Sequence, residues 1–385
     1  MRERVLAFLL AGFALPAFAA RQVTVAEVEQ LLTQAHGEKD GSLAKELSGV
    51  ELTERVSPQR LERWEEALPG PKARQALLIL ADSSAFLELP GADIQAGDAP
   101  GREAQRQMMT LTVEYLAKAI PRLPNFMATR ETSRFVEMPE GGLGSYSSSS
   151  EPLPLRLLDR LKSTVLYRDG QEVVDSGKGK QMKPGQVGDG LITIGVFGPI
   201  LSTVIVDAAH GNIAWSHWEN GTGARRAVYN YRVPLGQSHF EVSWCCKVLK
   251  PDGNGVQLEE SNKLSAYHGE IAIDPDSGAI LRLTLKADME ASDPISQSSI
   301  AVDYGPVEIG GVTYICPLRS ISLGLAPIQI ELHPHTGAAA GPKRRSMNDV
   351  QFSEYHLFRA ETRILTDDAA QTQGNAPASA PPPHP

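Results

Sequence analysis

Along the first third of the chain apolar residues recur at intervals of three and four, and after Pro124 they recur at every second position. The early pattern predicts amphipathic helices. Thr24 with Glu27 makes a capping box ahead of Val25, Val28 and Leu32. Ser57 followed by Pro58 supplies an N-cap and a proline at the first helical position, with Leu61, Trp64 and Leu68 on one face before Pro69-Gly70 stops the helix. Residues 72–86 carry Ala76, Leu77 and Leu80. Residues 102–120 carry Met109, Val113, Leu116 and Ile120. Ser42 is read as a further helix N-cap. Such stripes pack on one another or on the following domain, or else they present a docking surface.

The later pattern predicts strands. The stretch NFMATRETSRF opens them, GGLGSYSSSSEP reads as a flexible connector, and VLYRDGQEVV reads as a hairpin around Asp169-Gly170. Further strands are expected at 191–206, 212–219, 226–233, 239–249, 265–273, 279–289, 298–304, 312–323 and 349–364. With almost no helix between them these strands form an antiparallel sheet, because parallel pairs need long crossovers. The expected fold class is α+β, with a helical region at 20–121 and an antiparallel β domain at 122–366. The Pro/Ala-rich tail at 367–385 is too polar to fold.

Residues 1–19 alter this picture. Two arginines, an apolar run from Val5 to Phe18 and the small-x-small site Ala17-Phe18-Ala19 together read as a secretory signal peptide. No later stretch approaches the roughly 18 apolar residues of a membrane helix, so the mature chain is expected to be periplasmic or secreted, with no membrane span. A net charge of -9 argues against nucleic acid as a partner, since neutralising phosphates takes a basic surface.

Three His-x-Glu pairs, His217/Glu219, His239/Glu241 and His268/Glu270, are the strongest candidates for chemistry. In YHGEIAIDPDSGAILRLTLKADM, Ile271 and Ile273 share a face, as do Leu281, Leu283 and Leu285, while His268 and Glu270 lie opposite beside Arg282, Thr284 and Lys286. That pair has cations to meet across the strands. The other four residues are a legitimate zinc or iron donor set. In a meander, however, an intervening strand holds them roughly 10 Å apart at about 4.8 Å per strand. Cross-strand polar pairing is therefore the reading preferred over a metal site.

The three cysteines are placed by parity. Cys246 shares a face with Phe240, Val242 and Trp244, and Cys316 shares one with Val312, Tyr314 and Leu318, so a Cys246–Cys316 disulfide is expected in an oxidising compartment. Cys245 is left over, a bridge to Cys246 being the strained alternative. A Cys245/His239 dyad fails because six strand residues span roughly 20 Å.

Nucleophile-elbow, HExxH, phosphate-loop and dinucleotide motifs are all missing from the sequence. Trp215, Trp218, Tyr229, Tyr231, Phe240 and Trp244 cluster in the middle of the sheet, where aromatic residues make core or, on a curved sheet, line an apolar cavity.

The segments LPNFMATRETSRF, VFGPIL, WSHWE, SHFEV, YHGEIAIDPDSGAILRL and YGPVEIGGVTYICPLRS resemble a family of exported acidobacterial proteins that brings no established activity with it. More remotely, the helix, strand and hairpin order is similar to the lipoprotein-carrier (LolA/LolB-like) folds of the bacterial envelope. That similarity implies a half-barrel, a strongly curved antiparallel sheet around helices with an apolar cavity for acyl chains. It transfers no functional residue. The expected function is thus an exported, non-enzymatic envelope protein that binds an apolar or lipid-bearing ligand against Trp215, Trp218, Tyr229, Tyr231 and Trp244. The alternatives are a metal-dependent hydrolase using His217, Glu219, His239 and Glu241, or a structural module that docks a partner. No cofactor is implied. The partners expected are an apolar ligand and an envelope protein.

Overall fold

The computed structural model describes residues 20–35, 37–138, 153–175, 196–221, 225–248, 258–327 and 343–358, with backbone alone at 174–175, 244–248 and 258–261. The expected signal peptide, the connector at 141–152 and the tail at 367–385 lie outside these residues.

The chain opens with strand β1 (Arg21–Val23) and helices α1 (Val25–Gln34) and α2 (Asp40–Leu47). Strand β2 (Val50–Leu52) then pairs parallel with β1, and α3 (Pro58–Glu66) and α4 (Pro71–Ser83) complete the unit. Thr24 and Glu27 form the expected capping box on α1. Asp40, not Ser42, matters at the next helix: α2 begins at Asp40, whose carboxylate caps a different helix by accepting the Lys72 and Ala73 N–H groups at 3.1 and 2.8 Å. Val28, Leu43, Leu47, Ala73 and Leu77 are buried in one small core. The stripes are therefore used up within the unit.

Helix α5 (Arg102–Ala119) belongs elsewhere. Its buried side chains are Met108, Thr112 and Leu116, while Val113 is 49% exposed, so the inward stripe is turned from the one expected. Met108 and Leu116 join the core of the sheet. The apolar contacts thus group α5 with the sheet.

The sheet takes β3 (Phe126–Glu137), β4 (Leu155–Arg168) and β5 (Gln171–Asp175), then, after helix α6 (Pro199–His210), β6 (Asn212–Asn220) and β7 (Arg225–Val233). Strands β8 (Glu241–Val248) and β9 (Leu258–Leu264) pair only with each other. The sheet then adds β10 (Tyr267–Ile273), β11 (Ile280–Ala287), β12 (Gln297–Ile309), β13 (Val312–Pro327) and β14 (Lys343–Leu357). The order β5-β4-β3-β14-β13-β12-β11-β10-β7-β6 is antiparallel throughout and unclosed, a curved sheet in an α+β fold. The hairpin at Asp169-Gly170 forms with both residues at positive φ, 53° and 81°.

Two expectations fail here. Residues within 191–206 do not continue the strands, because Pro199 sits at the first turn of α6 and Val204 and Ala208 pack on the sheet core. Short apolar β-branched runs read equally well as buried helix. In addition, β8 does not lie beside β7; β10 takes that place.

The face of the sheet that carries Tyr229, Tyr231, Ile271, Leu283 and Tyr304 packs with α5 and α6. The opposite face is polar by pattern yet is also covered, with Ile79, Ala85 and Phe86 of the helical unit meeting Phe135, Ile321, Leu323 and Met347. Around this contact the charges are paired across the interface. Arg319 donates through Nη2 to both Asp82 oxygens at 2.7 and 2.8 Å and through Nε to Asp349 at 2.7 Å, and Arg345 joins Glu51 to Glu137.

Asp82 shares one guanidinium with Asp349, and Asp303 is a third buried carboxyl whose charge acts on it. Its burial pushes its carboxyl up to about 7; Arg319 pulls the other way, and the two neighbouring carboxylates push further. A raised folded-state pKa gives stability that is present below the unfolded value and lost as pH rises through the folded one. Relative to Asp82→Asn, the wild type should lose about 2–4 kcal/mol between about pH 4 and pH 7 and stay level above. Urea unfolding of both proteins across that range measures it; parallel pH profiles would show that Asp82 is ionised throughout.

Candidate functional site

The residues singled out in sequence do not assemble into one site. Tyr229 and Tyr231 are each 2% exposed, the Tyr231 hydroxyl donating to the Thr284 carbonyl at 2.7 Å. A bulge in β6 keeps Trp215 and Trp218 on one face, where their rings meet at 4.7 Å and Trp215 also meets Tyr229 at 5.5 Å. The Trp218 Nε1–H donates to the Asp98 carbonyl at 3.0 Å, and the Arg225 guanidinium lies 3.4 Å from its ring centroid. Tyr231 meets Tyr267 at 5.9 Å instead; all four aromatic side chains belong to the sheet core and none lines the cavity described below. The Trp244 side chain lies outside the described residues.

The His-x-Glu pairs do not form one site: Glu219 and Glu270 share an arginine network, while His268 and the His239/Glu241 pair make other contacts. Glu219, 3% exposed, accepts from Arg55 Nη2 at 2.9 Å and Arg282 Nη2 at 3.2 Å, with His217 Nε2 at 3.8 Å. Arg282 also donates to Glu270 at 2.7 Å, the cross-strand pair expected from the sequence. Burial raises the Glu219 carboxyl, but His217 and Arg55 outweigh it and hold the group below the usual carboxylate range. For Glu270 burial wins over Arg55, with Glu88 and Glu219 adding to it, and the carboxyl is raised. His268 bonds Asp288 at 2.7 Å, and Lys286 instead reaches the Phe86 carbonyl. His239 bonds Asp207 of α6 at 2.6 Å, while Glu241 is exposed. The metal alternative fails in this geometry: His217 and Glu219 lie on the large sheet, whereas Glu241 belongs to the separate β8–β9 ribbon with His239 just ahead of it. Among the described residues no three His, Cys, Asp or Glu side chains converge as a metal site.

Cys316 is buried and is a free thiol. The expected Cys246–Cys316 disulfide turns on Cys246, whose side chain lies outside the described residues. Parity placed both on inward faces, but β8 leaves the sheet that carries Cys316.

A cavity of about 430 Å3 lies where α5 ends, where α6 begins and where β12 turns into β13. Each boundary has a local cause. Pro121 follows α5 and supplies no N–H for another helical turn, so the chain tightens into a 3-10 turn at 120–122. Gly310 and Gly311, at φ 62° and 83°, close the β12–β13 hairpin in two residues, and a Cβ on Gly310 would stand 2.2 Å from Leu357. Leu116, Phe197, Leu201, Tyr304 and Cys316 form the buried floor, and Ile120 and Ile315 the walls. The Tyr304 hydroxyl is turned away to the Val196 carbonyl at 3.3 Å. Burial pushes the Cys316 thiol up to about 12, which leaves it protonated and inert as a nucleophile. Burial likewise raises Tyr115. The interior is thus apolar and uncharged.

No family model, no curated protein and no solved structure matches the chain.

The site therefore rests on its own geometry, and half of it was visible as ordinary core pattern. Leu116 and Ile120 belong to the stripe expected on α5, and Tyr314 and Cys316 to the apolar face expected on β13. The missed signals were Pro121 and Gly310-Gly311, which end both elements short of full contact. Among the described residues, Lys118 and Arg122, beside that stripe, are the charged side chains in the lining.

Proposed function

We propose that the protein is an exported envelope protein that binds an apolar, acyl-type group in the cavity beneath the β12–β13 hairpin. The observation that carries this reading is the cavity of about 430 Å3 with an uncharged, apolar floor. Small-molecule sites span about 300–1,000 Å3 and are lined mainly by apolar side chains. An open, curved antiparallel sheet with helices on its inner face supports it further, as does the resemblance to lipoprotein-carrier half-barrels. Export is proposed from the arginine, apolar and small-residue pattern of residues 1–19.

The cavity reading is tested by filling the space. Ala119, at the half-buried wall, is replaced by tryptophan. Ala119→Trp should keep the wild-type melting temperature within a few degrees and weaken binding of a fluorescent acyl probe at least about tenfold. Lipid extraction and mass spectrometry of the purified wild type should show a bound apolar molecule that the variant lacks. Equal probe binding by both proteins would place the ligand elsewhere.

A further inference from the structure

We propose, building on that binding role, that the ligand is a single-chain anionic amphiphile whose carboxylate or phosphate headgroup is held at the cavity mouth by Arg122 and Lys118. The cavity is graded. Its floor residues are buried, whereas Lys118, Arg122, Val312 and Thr313 at the rim are exposed. An apolar chain fits the floor, and its polar end would emerge between the two cations.

Charge makes the choice between headgroups. The chain carries 46 acidic and 37 basic residues, yet among the described residues the cavity lining contains two cations and no carboxylate. Arg122 has no ion-pair or hydrogen-bond partner among the described residues. Lys118 meets Glu114 one turn earlier on α5 at 3.2 Å, both side chains more than half exposed. An exposed helix pair of this kind is weak and screened by solvent, so Lys118 is readily redirected to a headgroup. Arg122 can meet a carboxylate or phosphate with two parallel N–H bonds, a geometry an ammonium does not offer. Nothing inside competes with these two charges, since burial keeps both Cys316 and Tyr115 in their neutral forms. A cationic amphiphile would be repelled at the same mouth, and a neutral one would leave both cations unused.

The test compares three probes of equal chain length, dodecanoate, dodecyl phosphate and dodecanol, by displacement of a fluorescent acyl probe from the full-length mature protein. The two anions should bind about tenfold more tightly than the alcohol. The double variant Lys118→Gln/Arg122→Gln should lose that margin while its affinity for dodecanol stays unchanged. Added salt should weaken the anions alone. Both sites are exposed, so the variant should give the wild-type circular dichroism spectrum and melting temperature. A preference between the two anions separates a fatty acid from a monoacyl phospholipid as the source of the headgroup. If all three probes bind equally, or the variant keeps the margin, the anionic headgroup is wrong and the cavity reading stands. If none binds, the cavity reading falls and the headgroup with it.

Discussion

Glu219→Ala is expected to lower the free energy of unfolding by about 3–5 kcal/mol, the range for removing one partner of a buried ion pair. The side chain ties two strands of the sheet to the helical unit. Arg55 comes from the helical unit, 164 residues earlier in the chain, and Arg282 comes from β11. At 5% and 6% exposed, neither guanidinium has water to fall back on. Without Glu219 both would share Glu270, which stands 2.7 Å from Arg282 but 3.9 Å from Arg55. Glu219→Gln should cost nearly as much, because it keeps the shape and removes the charge. Replacing Arg55, Glu219 and Arg282 together with apolar residues of similar volume should recover most of the loss. Urea unfolding followed by tryptophan fluorescence measures all three. A change below about 1 kcal/mol for Glu219→Ala would mean that water reaches the two arginines and that the network contributes little.

Gly269→Ala should be nearly as damaging, at about 3 kcal/mol, through sterics alone. A Cβ at this position of β10 would lie 1.9 Å from the Thr284 carbonyl oxygen and 2.7 Å from its carbon. That carbonyl cannot turn aside freely, since it accepts the buried Tyr231 hydroxyl at 2.7 Å, and the Thr284 hydroxyl accepts the Glu270 N–H at 2.8 Å. Relief would require separating β10 from β11. Gly236→Ala is the control: a Cβ there meets nothing within 4 Å, and its cost should stay within about 0.5 kcal/mol. Equal melting temperatures for the two variants would show that the β10–β11 pair yields at low cost.

Both predictions concern strands whose faces were legible in advance. Alternation in YHGEIAIDPDSGAILRLTLKADM assigned Ile271, Ile273, Leu283 and Leu285 to the core and Glu270 with Arg282 to the other side, and these assignments hold. One detail shifted. A bulge opposite Ala272 and Ile273 puts Ile280, in place of Leu281, into the core. The polar side did not need to be a wet side, however. Arg55 and Phe86 of the helical unit reach across it, so residues that read as cross-strand polar pairs became a desolvated network. The aromatic cluster misled for a related reason: period two tells which side chains share a face, but not whether their rings leave space between them. Trp215, Trp218, Tyr229 and Tyr231 fill theirs.

By itself the amino-acid order determined the features that depend on neighbours a few residues away. Among them are the capping box at Thr24, the proline start of α3 at Pro58, the hairpin at Asp169-Gly170 and the alternation that sorts each strand into two faces. Those are set by backbone sterics and short-range hydrogen bonds, which act within a turn or two of chain. Only the tertiary structure decided that β10 replaces β8 beside β7, that helices cover both faces of the sheet, and that the hollow opens where α5 and the β12–β13 hairpin both stop short. Those outcomes depend on burial, and whether a charge or a ring is buried is settled by partners that the chain brings back from more than a hundred residues away.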